Sequence, residues 1–298
     1  MISKRVARIS FKNVLCATDF SPSSSTVVAY AVAIARRYRS KLYVAHVIPP
    51  DIYKSVPPEA MPEAVKQTHV QAQQDLESLS HRDEMEHINH ELLLRDGQVS
   101  TVLLELLDKY KVDLLAIGTR GHTGLDRLLL GSVAEEMFRQ AKCPVLIVPS
   151  HASQDSAARI GIIVYPTDFS QISLAAAPYA LSLAKRYRAQ LILLNVVENP
   201  KAQSTEDFAR LRKPIETQLR ELLPADYRPN REPQVEVEFG PPAEGIARAA
   251  SQANAGLIIL GIPPAKAAVA HLPEGIIYKV VRTAACPVLT IRGVSNAW

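Results

Sequence analysis

The feature that most constrains this chain is an internal duplication. Laid over one another at a constant shift of 149 residues, "LCATDFSPSSSTVVAYAVAIARRYRSKLYVAHV" (15 to 47) and "VYPTDFSQISLAAAPYALSLAKRYRAQLILLNV" (164 to 196) share Thr-Asp-Phe-Ser and Arg-Tyr-Arg in register. Further on, "RDGQVSTVLLELLDKYKVDLLAIGT" (95 to 119) pairs with "EFGPPAEGIARAASQANAGLIILGI" (238 to 262) at a shift of 143, as do Cys143-Pro144 and Cys286-Pro287. A period this long means two fused copies of one domain rather than a solenoid of short repeats. At 298 residues, each copy has the ~150 residues of an ordinary domain. The predicted domains are 1–150 and 157–298, and the small, polar stretch 149–161 reads as the linker.

Within each copy the apolar period alternates as in a β-α-β chain. The first copy reads as strands 14–17, 42–47, 90–94, 114–117 and 145–148. Between them lie a helix with Val28, Ala31, Val32 and Ala35 inward, a long polar helix near 62–85, a helix carrying Leu103, Leu106, Leu107 and Tyr110, and a last one carrying Ala134, Met137, Phe138 and Ala141. The second copy places strands near 161–165, 191–197, 234–239, 257–260 and 288–291. The fold class is therefore α/β: two tandem Rossmann-like domains, each a five-stranded, mostly parallel sheet with helices on both faces. The stretch "PPDIYKSVPPEAMP" (49 to 62) exceeds the usual ~2 to 6 residues of a βα loop and reads as a semi-rigid flap, either a plain connector or a ligand lid.

Composition narrows the function. A hydrophobic content of 47% with 21% charged residues is ordinary for a globular protein. The net charge of +4 is too small to mark a nucleic-acid binder, and an aromatic content of 6% leaves few stacking platforms. No apolar run nears the ~20 residues of a membrane span. Three widely spaced cysteines without a CxxC pair argue against disulfides and zinc, so the expected setting is the reducing cytoplasm. Cys143 and Cys286 read as buried structural thiols. His87 and His90 beside Glu86 and Glu91 read as solvated surface rather than a metal site.

Glycine is scarce, 12 in all, yet Gly118, Gly121, Gly124 and Gly131 crowd into one segment. Gly118 ends the fourth strand and Gly131-Ser132 opens the last helix, giving Gly-x2-Gly-x9-Gly-Ser. Backbone N–H groups can approach a phosphate there without Cβ interference, and a helix start adds donors and a favourable dipole. The bland readings are a strand-ending turn, with Ser132 as a helix cap. The spacing is neither the P-loop nor the dinucleotide fingerprint.

The duplicated "TDFS", His46-Val47 at the end of strand two, and "GTRGHTGLDRLLLGS" (118 to 132) followed by "CPVLIV" resemble the universal stress protein family in its tandem two-domain form. The resemblance spans nearly the whole chain. It implies the adenine nucleotide alpha-hydrolase-like version of the fold and an ATP site, with or without Mg2+, in the first copy. Carried over by position, that site consists of Asp19, Val47, Gly118, Gly121, Gly131 and Ser132, with Thr119, Arg120 and His122 also within reach of phosphate. From chemistry alone, Asp19 suits a ribose hydroxyl or an adenine amino group, or else closes an Asx turn.

The second copy departs from the pattern: Gly261 stays, but Pro264, Glu274 and Gly275 stand where Gly121, Gly131 and Ser132 do. It is expected to be degenerate, with Asp168 and Val196 surviving. The implied function is a cytoplasmic, nucleotide-dependent regulator acting on a protein partner, with ATP ordering the loop 118–132 and the flap. A ligand-free scaffold and a slow ATPase are the alternatives. The resemblance also implies pairing through the last strands, between the two domains as a pseudo-dimer or between chains as a homodimer. No glycine-rich loop follows strand one, which excludes the related SGGxDS enzymes.

Overall fold

β-branched and leucine-rich runs, flanked by amphipathic segments, build the same unit in each half of the chain. The structure, a computed structural model, describes residues 8–119, 130–154, 157, 159–198, 204–264 and 275–293. Arg120, Gly121, His122 and Glu274 lie outside the described residues. Two units form, Ser10–Ala158 and Arg159–Trp298. Ile9 belongs with the latter, donating its N–H to Ser182 Oγ at 3.1 Å.

In the first unit β1 (Asn13–Ala17), β2 (Lys41–Ile48), β3 (His90–Asp96), β4 (Leu114–Gly118) and β5 (Val145–Val148) pair in the order β3-β2-β1-β4-β5, every pair parallel. The order reverses at β1, so β1 and β4 are neighbours and a switch-point crevice opens beyond their carboxyl ends. Strands buried on both faces explain their continuous apolar runs: Val14, Leu15, Leu115 and Ala116 are fully buried. Burying side chains of that size contributes roughly 1.5–3 kcal/mol each for the valine and leucines.

Helix α1 (Pro22–Tyr38) starts where Ser21 accepts from the Ser24 N–H and proline takes the first position, and it ends at Arg39 in the left-handed region. All four residues predicted to face inward from it are buried. The long polar helix is α2 (Met61–Ser80), shorter than the pattern suggested, with a separate 3-10 turn at Asp83–Met85. The flap contains two further 3-10 turns, Pro50–Tyr53 and Pro58–Ala60, each opened by a proline. Helices α3 (Val99–Lys109) and α4 (Ser132–Gln140) complete the unit. Between β3 and α3, Gly97 has φ +134 and a Cβ there would sit 3.0 Å from Val102. Gly240, its counterpart in the second unit, has φ +121, so the duplication preserved a conformation that only glycine adopts readily.

The second unit repeats the plan with β6 (Ile162–Pro166), β7 (Gln190–Val197), β8 (Gln234–Phe239), β9 (Leu257–Ile262) and β10 (Val288–Arg292), ordered β8-β7-β6-β9-β10 and parallel throughout. Its helices include α7 (Thr205–Glu221), α8 (Pro242–Gln252) and α9 (Ile276–Thr283). Its first helix differs from α1. Pro178 stands where Ala29 does, and the missing N–H divides the segment into α5 (Gln171–Leu174) and α6 (Ala177–Tyr187).

At the carboxyl end of β3, His69 of α2 bonds the Val65 carbonyl through Nδ1 at 2.8 Å and the Asp96 carboxylate through Nε2 at 3.0 Å. Both acceptors are satisfied only by the protonated ring, and the Val65 carbonyl, then Asp96, hold the His69 pKa above its ordinary value. Stability from this pair is therefore fully present below the unfolded-state pKa of ~6.5 and is lost as pH rises through the raised folded-state value. An NMR titration is expected to place the His69 midpoint above that of an unfolded histidine, and Asp96→Asn to bring it down. An unchanged midpoint in Asp96→Asn would show that the carboxylate does not hold the proton.

Candidate functional site

The turn after β1 is built from hydroxyls. Beyond the last ladder pair, the Thr18 N–H still donates to the Ala45 carbonyl at 2.9 Å. Thr18 Oγ1 accepts from the Phe20 N–H at 3.1 Å and lies 3.0 Å from Ser24 Oγ. Ser24 Oγ itself donates to the Ser21 carbonyl at 2.9 Å, so in the Thr18–Ser24 pair the threonine is the donor. Asp19 Oδ1 accepts from the Ser21 N–H at 3.1 Å and from Ser21 Oγ at 2.6 Å. The carboxylate thus closes an Asx turn and is held at the mouth of the sheet by the residue that also caps α1. Phe20 has φ 61, a costly conformation for a bulky residue.

The ends of the glycine segment are drawn together. Thr119 extends β4 by donating its N–H to the Val148 carbonyl at 3.1 Å, and the Gly131 N–H donates to the Thr119 carbonyl at 2.8 Å. Gly131 is the N-cap of α4, with no side-chain cap, and Ser132 is the exposed first helical residue rather than the cap. Among the described residues, the first-turn amides of α4 therefore have neither an intrahelical acceptor nor a capping side chain, the condition that suits an anion.

Of the residues singled out in the sequence, Asp19 after β1, Val47 near the end of β2, and Gly118, Thr119, Gly131 and Ser132 around the end of β4 lie along one edge, the carboxyl ends of β2, β1 and β4. Val47 and Thr119 are buried, whereas Asp19 is partly exposed. Arg120, Gly121 and His122 fall outside the described residues. In the flap, the Tyr53 hydroxyl is buried without a hydrogen-bond partner among the described residues, a capacity that a bound water or ligand satisfies. Cys16 lies deep in β1, where burial first and Glu84 second push its thiol up to about 12. Burial does the same to Cys286, also to about 12. Neither is a thiolate near neutral pH. No cluster of metal-binding side chains occurs among the described residues.

The second unit reproduces the turn. Phe169 has φ 62. Its N–H donates to Thr167 Oγ1 at 3.0 Å, and the Ser170 N–H donates to Asp168 Oδ1 at 3.0 Å. Burial pushes the Asp168 carboxyl up, but hydrogen bonds from Ser170 and Ser173 outweigh it and leave the pKa below the ordinary value. Over β9 the backbone of α5 packs directly on Gly261: a Cβ there would collide with the Ile172 carbonyl oxygen and come within 2.7 Å of Ser173 Cα. The sequence pattern carried no sign of this contact beyond Pro178, which frees α5 from the helix that follows.

The sequence model of the universal stress protein family matches residues 10–149 and again 160–292. The chain belongs to the universal stress protein family, in tandem two-domain form. Universal stress protein MJ0531 of Methanocaldococcus jannaschii is 30% identical over 139 residues, spanning 46% of this chain and 82% of that protein. Universal stress protein A homolog 1 of Coxiella burnetii is 34% identical over 143 residues, 46% of this chain and 96% of that one. Each such match has the length of a single copy. The crystal structure of a universal stress protein from Archaeoglobus fulgidus covers 95% of this chain and 98% of its own at a TM-score of 0.71. At 20% identity that likeness is one of fold. Membership of the family gives this universal stress protein a stress-response role. No helix among the described residues is long and apolar enough to cross a membrane.

Proposed function

We propose that the first copy binds ATP and that the protein acts as a nucleotide-dependent regulator rather than a turnover enzyme. The observation that carries this reading is the meeting of the Asp19 turn and the Thr119–Gly131 closure at the ends of adjacent strands β1 and β4. A carboxylate on one side of a switch-point crevice and an uncapped helix start on the other match the two ends of a nucleotide. Asp19 and the backbone at Val47 would take the ribose and base; Gly118, Gly121, Gly131, Ser132 and, beside them, Thr119, Arg120 and His122 would take the phosphates, with Mg2+ travelling on the triphosphate. The regulatory reading adds a cytoplasmic setting, a protein partner that reads the nucleotide-dependent surface, and pairing through β5 and β10, as a pseudo-dimer or homodimer. The second copy is proposed not to hold ATP in the same way, because Pro264 removes a backbone donor and Glu274 adds a charge that repels phosphate.

Mass spectrometry of the freshly purified protein, followed by calorimetry, tests this. The expected result is bound ATP and a single site per chain. ADP with released phosphate would favour slow hydrolysis, no nucleotide a ligand-free scaffold, and two equivalent sites would overturn the asymmetry.

A further inference from the structure

We propose that His46 is a positioning residue that sets the Asp19 turn through its Nδ1–H donor; the inference rests on the ATP-binding reading. His46 Nδ1 lies 2.9 Å from the Thr18 carbonyl. A carbonyl only accepts, so Nδ1 carries the proton in either charge state of the ring. The duplication supplies an internal control. The residue at the matching position, Asn195, donates Nδ2 to the Thr167 carbonyl at 2.7 Å. Both carbonyls lie one residue before the aspartate and two before a phenylalanine at φ 61 or 62. What is common to the two copies is therefore the donor and its acceptor; what differs is the group's capacity to titrate. The His46 ring also stacks on Phe20, with centroids 4.4 Å apart, a contact that an asparagine cannot provide.

The bond has a definite task. A left-handed phenylalanine persists only where its surroundings over-determine it. The Thr18 carbonyl is fixed by the side chain at 46, the Thr18 hydroxyl takes the Phe20 N–H, and Asp19 takes the Ser21 N–H, so the first and last peptides of the turn are both tied. Without the donor, the Thr18–Asp19 peptide is free to rotate, and the Asp19 carboxylate rotates with it.

Two variants separate the bond from the ring. His46→Asn keeps an N–H donor and removes the imidazole, whereas His46→Leu keeps apolar packing on Phe20 and removes the donor. Calorimetry with ATP is expected to show His46→Asn within about threefold of the wild type and His46→Leu weaker by about tenfold, the value of one lost hydrogen bond. Hydrogen exchange on the ligand-free protein is expected to speed up at Phe20 to Ser24 in His46→Leu alone. Asn195→Leu should do the same at Phe169 to Ser173 without changing ATP affinity. Equal losses in His46→Asn and His46→Leu would assign the role to the imidazole and overturn the proposal, as would an unaffected His46→Leu. If the wild type binds no ATP, the ATP reading fails, and the exchange data alone decide: faster exchange confined to His46→Leu upholds the positioning bond, and unchanged exchange overturns it.

Discussion

Gly131→Glu is expected to weaken ATP binding at least a hundredfold while leaving the fold intact. The substitution copies into the first unit the residue that the second unit carries at the matching place, Glu274. The backbone tolerates it: Gly131 has φ −60 and ψ 147, ordinary extended values open to any residue. Its N–H, which closes the loop onto the Thr119 carbonyl at 2.8 Å, is retained by glutamate. The effect is thus one of charge. A carboxylate about 4 Å from a phosphate at the effective dielectric of a protein surface is repelled by roughly 4 kcal/mol, and screening removes part of that. About 2.7 kcal/mol remaining corresponds to a hundredfold in Kd. Gly131→Ala, which adds bulk without charge, should lose far less. Retained ATP affinity in Gly131→Glu would mean that the start of α4 is not the phosphate side and that the glycines only make a turn.

The glycine argument shows what kind of information the sequence holds. Hydrophobic period and duplication are written directly in it, and the strands lie within two residues of the expected bounds in both units: β5 at 145–148 and β8 at 234–239 agree at both ends. Gly118 and Gly131 stand out because glycines crowd where an apolar run stops and a helix begins, whereas Asp19 and Val47 are implied by the resemblance to the family. What could not be read is which strand ends become neighbours. The order β3-β2-β1-β4-β5 places Asp19 beside Thr119, a hundred residues away, and no local period encodes that adjacency. The role of His46 was hidden for a related reason. Its acceptor is a backbone carbonyl 28 residues upstream, so only the equivalent bond from Asn195 exposes what the two side chains share. The polar pattern runs past the end of α2 at Ser80 because Asp83–Met85 continues it in a separate 3-10 turn.

Gly261→Ala is expected to destabilise the second unit by about 3 kcal/mol or more, lowering its unfolding temperature by roughly 6–12 °C. Gly261 does not occupy the left-handed region, so the demand for glycine here is one of space. The colliding atom belongs to the backbone of α5, and α5 is anchored. The Ser173 N–H donates to Ser170 Oγ at 3.2 Å, Ser173 Oγ donates to the Ser170 carbonyl at 3.0 Å and lies 2.9 Å from Thr167 Oγ1, and the Tyr165 hydroxyl donates to the Ser173 carbonyl at 2.9 Å. Nor can β9 yield, since it is paired with β6 on one side and β10 on the other. Relief therefore requires breaking bonds of a buried network rather than turning a flexible side chain. Gly161→Ala, where an added Cβ meets nothing within 4 Å, is the matched control and should change stability by no more than about 0.5 kcal/mol. Calorimetric unfolding of the full chain would read both variants, and equal stabilities would refute the packing of α5 on β9. Charge is not the whole difference in ligand binding. Glu274→Gly removes the repelling carboxylate but leaves Pro264 at the place of Gly121, so restoring glycine at the loop end should not create a second ATP site; a second site in that variant would show that charge alone separates the two copies.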